Sequence, residues 1–287
     1  MDNQVTILMF HKVVPSLSLN HWGPITLDDF KAQIDLIGKN KYSLLTLSEM
    51  ERHLLGRGSK KRAVLLTFDD GSCDNYEHVF PFLRERGIPA VFFLCAGYVG
   101  TGRIFWWDRL EDWLLKTRKQ RLILRSGQGE VILPLKSRDD KIRAFNGIVR
   151  YWHCGRIGAN ELLEEIKPLL QVGAESATRS AMSWAEVRKM QKAGFGFGSH
   201  GVEHLDLALI DHKKAKDEIK RSKKILEEKL KEDVTAFSFP YGKWNPKITT
   251  MLRAAGYKMA FTSVPGEVRP GDNAYALKRR TALERMK

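Results

Sequence analysis

Thr67-Phe68-Asp69-Asp70-Gly71 closes the apolar run of residues 63–66 with two adjacent carboxylates. Side chains alternate along a strand, so the two aspartates leave it in different directions, and close anions repel unless something positive sits between them. A metal ion, an arginine or plain water could meet that need. Asp-Gly is also an ordinary way to leave a strand, and taken alone the segment reads as a turn. A second cluster of ligand-type residues behind another strand would make it a site. Such a cluster follows residues 195–199, where His200 and His204 stand four positions apart. From one helical turn or a tight loop, two imidazoles at that spacing reach one ion as neutral nitrogen donors beside a carboxylate oxygen. With Asp70 they make three protein ligands and leave a coordination position for water, the pattern of a catalytic zinc rather than a structural one. An isolated H-x-x-x-H also occurs on the surface of ordinary helices.

These residues need strands to carry them. Short β-type runs alternate with amphipathic helical stretches: residues 5–10, a helix near 27–38, residues 63–68, a helix near 75–86, and residues 90–94. The alternation predicts an α/β fold of parallel strands joined by crossover helices. The rhythm breaks over about 101–180, where helical segments near 107–118, 138–152 and 160–170 surround a hairpin pattern at 121–135. That stretch reads as a helical insertion or cap in a single domain of residues 1–287. Alternation resumes with a helix near 183–193, a strand ending at His200, a long helix over 213–233, a strand through 234–238, a helix near 245–255 and a strand at 258–263.

With 287 residues and 43% hydrophobic content, the chain can bury a sizeable core, and its length suits an α/β barrel. No run of about 18 apolar residues appears, and Asp2 stands where a signal peptide carries basic residues, so a soluble, cytoplasmic protein is expected. Cys73, Cys95 and Cys154 lack C-x-x-C spacing and suit a reducing compartment. The formal net charge of +14 would draw the chain to nucleic acid, an anionic membrane surface or a phosphate-bearing substrate. No RRM signature or zinc-finger spacing is present, so nucleic acid is not an expected partner. Much of the charge lies in residues 213–233, where Ile219, Ile225, Leu226 and Leu230 recur near helical spacing and the charges read as a solvated face. Oligomeric state is left open.

A third strand, Phe237-Ser238-Phe239, runs straight into the turn Pro240-Tyr241-Gly242. The ordered set, T-F-D-D-G, then H-x-x-x-H, then a strand ending in P-Y-G, resembles the polysaccharide deacetylases, a carbohydrate esterase family. The resemblance implies a distorted (β/α) barrel whose site gathers at the carboxyl ends of the strands. It further implies that Asp69 is the general base and that Asp70, His200 and His204 hold a divalent metal. Zinc is expected, with nickel, cobalt and iron able to use the same ligands. By the same analogy the Pro240-Tyr241 turn binds substrate, the Tyr241 backbone N–H facing the tetrahedral oxyanion.

Two departures matter. The commoner family pattern takes its general acid from a C-terminal histidine, and no histidine follows His212. The first strand delivers His11 instead, which resembles the exopolysaccharide (poly-N-acetylglucosamine) deacetylase branch and implies that His11 protonates the leaving amine. Ser238 occupies the place of an arginine that steers the base in many members, and Arg279 is the expected substitute. Trp106 and Trp107 are candidates for stacking on sugar rings, while Trp106, Leu110 and Trp113 also share one helical face suited to a core. Cys73, close behind the Asp-Asp-Gly turn, is outside the family's ligand pattern.

The implied activity is removal of an N-acetyl group from an N-acetylhexosamine-containing saccharide. Given the expected location, the substrate would be a lipid- or nucleotide-linked precursor, with the protein free or peripheral on the inner face of the membrane. Two alternatives stand beside it: a catalytically silent carbohydrate-binding barrel, and a hydrolase of another amide such as a formamide or cyclic imide.

Overall fold

The computed structural model describes residues 3–17, 19, 24–58, 62–126, 129–154, 159–174, 176 and 179–281. They form two compact units, one of residues 1–16, 23–102 and 181–287, the other of residues 17–22 and 103–180.

The first unit opens with β1 (Val5–Phe10), β2 (Val13–Val14), β3 (Ile25–Thr26), α1 (Leu27–Lys39), β4 (Ser43–Leu44), α2 (Leu47–Leu54) and β5 (Ala63–Phe68). A π-turn, Asn75–Val79, then leads into α3 (Phe80–Glu85) and β6 (Val91–Leu94). The second unit carries α4 (Trp106–Lys116), the antiparallel hairpin β7 (Arg121–Ser126) and β8 (Gly129–Pro134), α5 (Arg138–Cys154) and α6 (Ala159–Leu170). The first unit resumes with α7 (Trp184–Lys192), β9 (Gly196–Ser199), α8 (His212–Leu230) and β10 (Ala236–Ser238). The turn Pro240–Gly242, α9 (Pro246–Ala254), β11 (Met259–Phe261) and β12 (Arg280–Thr281) complete it.

Helix starts follow local chemistry. Thr46 and Glu49 form a reciprocal capping box on α2, and Ser183 and Glu186 form another on α7. Asp211 caps α8, and Asn245 caps α9 just before Pro246, whose missing N–H costs nothing in a first turn.

The strands of the main sheet run parallel in the order β11-β10-β9-β6-β5-β1-β12, with β4 paired to the start of β5. The last segment joins the two ends of the curl: Leu277 bonds β11 through Thr262 N–H and Ala260 C=O, and Arg280 pairs with Leu8 on β1. The result is a distorted parallel barrel. Alternate strand positions fill its interior, with Val5, Ile7, Leu65, Val91, Phe93, Ala236, Met259 and Phe261 in one buried cluster. The opposite parity faces the helices: Phe10, Phe68 and Phe92 stack on neighbouring strands at 4.9 and 4.8 Å, and Phe30 of α1 packs edge-on against the first two. This parity decides the site. If Phe68 points outward, Thr67 and Asp69 point inward, above the apolar floor of Leu65.

In the second unit, Trp106, Leu110, Trp113 and Leu114 of α4 pack with Leu122, Phe145, Ile148 and Ile166. The two-residue strands β2 to β4 had no sequence expectation, and neither did α2, while the final strand expected over 275–280 is the short β12 that begins at Arg280. Among the described residues, no helix is long and apolar enough to cross a membrane.

Candidate active site

β1 and β5 pair in register with Phe10 opposite Phe68, so His11 and Asp69 leave the sheet at the same level and the same end. The Asp69 N–H donates to the Phe10 carbonyl at 2.9 Å, which ties the two strand exits together. Beyond them Asn75 Nδ2 donates to the His11 carbonyl at 3.0 Å, and Val13 N–H donates to Asp74 Oδ2 at 2.7 Å. The His11 segment is thus held against the helix entrance behind the Asp-Asp-Gly turn.

Both aspartates are buried, and they part company as strand alternation requires. Asp70, at φ 72°, turns toward the histidines: its Oδ1 lies 3.4 Å from His200 Nε2 and 3.3 Å from His204 Nε2. One ligand atom from each of the three residues lies within 4.8 Å of the others. Asp70 Oδ1 and His200 Nε2 are buried without a hydrogen-bond partner. Orphaned polar atoms facing one another in a buried site are what a bound cation would satisfy. The donor set of two imidazole nitrogens and one carboxylate oxygen fits a divalent transition metal. His200 Nδ1–H donates to the Ser238 carbonyl at 2.8 Å, which fixes the tautomer that bares Nε2 for coordination. The H-x-x-x-H segment is a tight loop rather than a helical turn, with His204 itself at φ 54°.

Burial raises the Asp70 carboxyl, but the His200 and His204 imidazoles facing it outweigh that and hold it well below its ordinary range. Burial lowers His204, the direction that favours the neutral imidazole a metal ligand needs. Burial lowers His200, but the charges of Asp69 and Asp70 beside it exceed that cost and raise it.

Asp69 meets a different cation. Arg279, only 1% exposed, donates Nη1 to Oδ1 at 2.9 Å and Nη2 to Oδ2 at 2.7 Å, a bidentate fork. The guanidinium is itself fixed by Nε to the Thr262 carbonyl at 2.7 Å, Nη1 to Thr67 Oγ1 at 3.2 Å and Nη2 to Ser238 Oγ at 2.9 Å. Ser238 Oγ also donates to Asp69 Oδ2 at 3.2 Å. A small side chain at 238 leaves the barrel interior open to an arginine arriving from just before β12. Burial raises the Asp69 carboxyl, yet the charges of Arg279 and His200 and the Arg279 hydrogen bonds leave it below its ordinary value.

Tyr241 stands at φ 59° in the turn after β10, with its ring edge-on to His204 at 4.6 Å. Pro240 sets the turn, and Gly242 follows at φ 66°, where a Cβ would collide with Ser263. Asp70, His204 and Tyr241 are three of the six non-glycine residues with positive φ among the described residues. Backbone strain of this kind collects at functional sites.

Trp106 lies in the core of the second unit, its ring 4.9 Å from Trp152, and Trp107 stacks on Phe105 at 4.6 Å. Their helical spacing serves packing. Cys73 is half-buried. Cys95 is the thiol beneath the histidine loop, and burial with the charges of Asp70 and Asp69 pushes it well up, away from thiolate chemistry. Glu218 on α8 went unread among the helix charges: it is buried, its carboxyl is pushed up by burial, and it accepts from the backbone of the loop between the histidines.

The family model for polysaccharide deacetylases matches residues 56–128 and 155–260, well over half of the chain. The chain belongs to the polysaccharide deacetylase family. It is 21% identical over 277 residues to YxkH of Bacillus subtilis (strain 168), a protein named as a polysaccharide deacetylase, covering 96% of this chain and 70% of that one. Over 77 residues, 27% of each protein, it is 32% identical to the poly-beta-1,6-N-acetyl-D-glucosamine N-deacetylase of Staphylococcus epidermidis. The solved structure of IcaB from Ammonifex degensii superposes with a TM-score of 0.63 at 22% identity, over 96% of this chain and 90% of that one, and shares the fold.

Proposed function

We propose that this chain is a metal-dependent de-N-acetylase of an N-acetylhexosamine-containing saccharide, using zinc. The observation that carries the proposal is the division of the paired carboxylates: Asp70 facing two histidines, Asp69 clamped by Arg279, side by side at one end of the barrel. The family and the poly-N-acetylglucosamine deacetylase relative support the substrate class.

Asp70, His200 and His204 would hold the ion. When bound, it supplies a Lewis acid that polarises the amide carbonyl and acidifies water. Asp69 accepts the proton of the attacking water, and Arg279 fixes the direction of its lone pairs. The Tyr241 backbone N–H faces the oxyanion as the carbonyl becomes tetrahedral. His11 gives a proton to the sugar nitrogen, so that it departs as a neutral amine. The +14 charge favours a substrate on an anionic carrier, a lipid- or nucleotide-linked saccharide.

The test is acetate release from N-acetylglucosamine oligomers by the zinc-loaded protein and by Asp69→Asn. Release by the parent and its loss in the variant are expected. A metal-loaded parent that binds the oligomer without releasing acetate would make the barrel a carbohydrate-binding one.

A further inference from the structure

Every backbone N–H from His200 to Glu203, in the loop between the two histidine ligands, has a hydrogen-bond partner. His200 N–H donates to the Leu94 carbonyl at 2.9 Å, and the carbonyls of Gly201 and Val202 accept from Ala96 and Gly97 N–H at 2.9 and 3.1 Å. Gly201 N–H donates to Ser199 Oγ at 3.2 Å. The two remaining amides converge on one atom: Val202 N–H and Glu203 N–H donate to Glu218 Oε2 at 2.8 and 3.0 Å. Glu218 is 3% exposed on the inner face of α8, and a Cβ at Gly201 would come within 3.2 Å of the same oxygen.

We propose that Glu218 is a positioning residue that sets the approach of His200 and His204 to the metal. The proposal rests on the metal site described above. A loop held on its sheet side by Leu94, Ala96 and Gly97 has a fixed edge there. Glu218 supplies the opposing hold from the helix side, and it fixes the peptide planes midway between the ligands. Without an acceptor at that point, the buried Val202 N–H and the part-buried Glu203 N–H lose their partner, and the loop moves to find others. His204, held at φ 54°, has the least backbone latitude to follow. Partners of this outer kind typically govern about 10–100-fold in metal affinity.

Three proteins test this: the parent, Glu218→Gln, which keeps an acceptor oxygen, and Glu218→Met, which keeps length and removes it. Zinc affinity is read by chelator competition, ligand geometry from the visible spectrum of the Co(II) form, and folding from the thermal midpoint of the metal-free chains. Glu218→Met should bind zinc about 10–100-fold more weakly with an altered Co(II) spectrum, while Glu218→Gln stays close to the parent in both. Equal affinities in all three, or equal losses in the two variants, overturn the proposal. Should Glu218→Met fail to fold, Glu218→Asp, whose carboxylate stops one methylene short of both amides, takes its place with the same expected loss. A parent that takes up no stoichiometric metal fails the site assignment itself, and is told apart by that first measurement.

Discussion

Arg279 grips Asp69 through two parallel N–H···O bonds of 2.9 and 2.7 Å, joining residues 210 positions apart inside the barrel. The adjacent aspartates therefore answer their mutual repulsion in two ways: an arginine for one and a ligand set of two histidines for the other. Breaking a buried pair from one side leaves an uncompensated charge, at a typical cost of about 3–5 kcal/mol.

Arg279→Met should retain metal and lose most activity, and its remaining kcat/KM should show an acid limb moved to higher pH. Asp69 acts ionised, and Arg279 is the largest influence opposing its burial, so removing the arginine lets the carboxyl rise. The same sign holds for stability. A depressed carboxyl contributes stability above its unfolded-state value and loses it as pH falls through the folded-state value, so the variant should lack that acid-range loss. Arg279→Lys should not rescue, because a point charge cannot reproduce the fork. An unmoved acid limb in Arg279→Met would show that Asp69 is not the titrating base.

Metal removal should act on the fold as well as on turnover. Zinc at 100 times its dissociation constant should stabilise the parent by about 2.7 kcal/mol, visible as a thermal midpoint raised by several degrees. Asp70→Ala, His200→Ala and His204→Ala should each abolish both the shift and stoichiometric binding, since each removes one of three ligands. Retention of metal in all three would move the site elsewhere.

The paired carboxylates should separate on substitution. Asp69→Asn should bind metal and lose about 10²–10⁴-fold in kcat, the usual contribution of a general base. Asp70→Asn should lose the metal. Equal metal loss in the two variants would contradict the division seen in their partners.

What the sequence made legible was local. Asp69, Asp70, His200, His204 and Tyr241 each end or follow a strand whose apolar run is self-evident, and strand parity already separates the two carboxylates. Arg279 was nameable as a substitute, but its grip on Asp69 depends on how the barrel closes, which no periodicity records. Glu218 was illegible for another reason: a buried carboxylate on a helix crowded with lysines has the same pattern as an exposed one until the loop it serves is folded over it. Trp106 was read both ways, and the one-face spacing with Leu110 and Trp113 was the stronger signal.

His11 gives the last prediction, because its role depends on leaving-group chemistry. The register of Phe10 with Phe68 and the bond from Asp69 N–H to the Phe10 carbonyl put His11 at the same strand end as the base. Asn75 holds its carbonyl, so the imidazole is replaceable without loss of the loop. His11→Ala should bind metal normally and lower kcat on an N-acetylated sugar, since an amine cannot leave as an amide anion and needs the proton. An acetyl ester with a phenolate leaving group needs little protonation, so its hydrolysis by the same variant should fall much less. Measuring both rates on one preparation cancels errors in metal loading. If the two substrates lose rate equally, His11 serves binding or structure, and the proton comes from another residue.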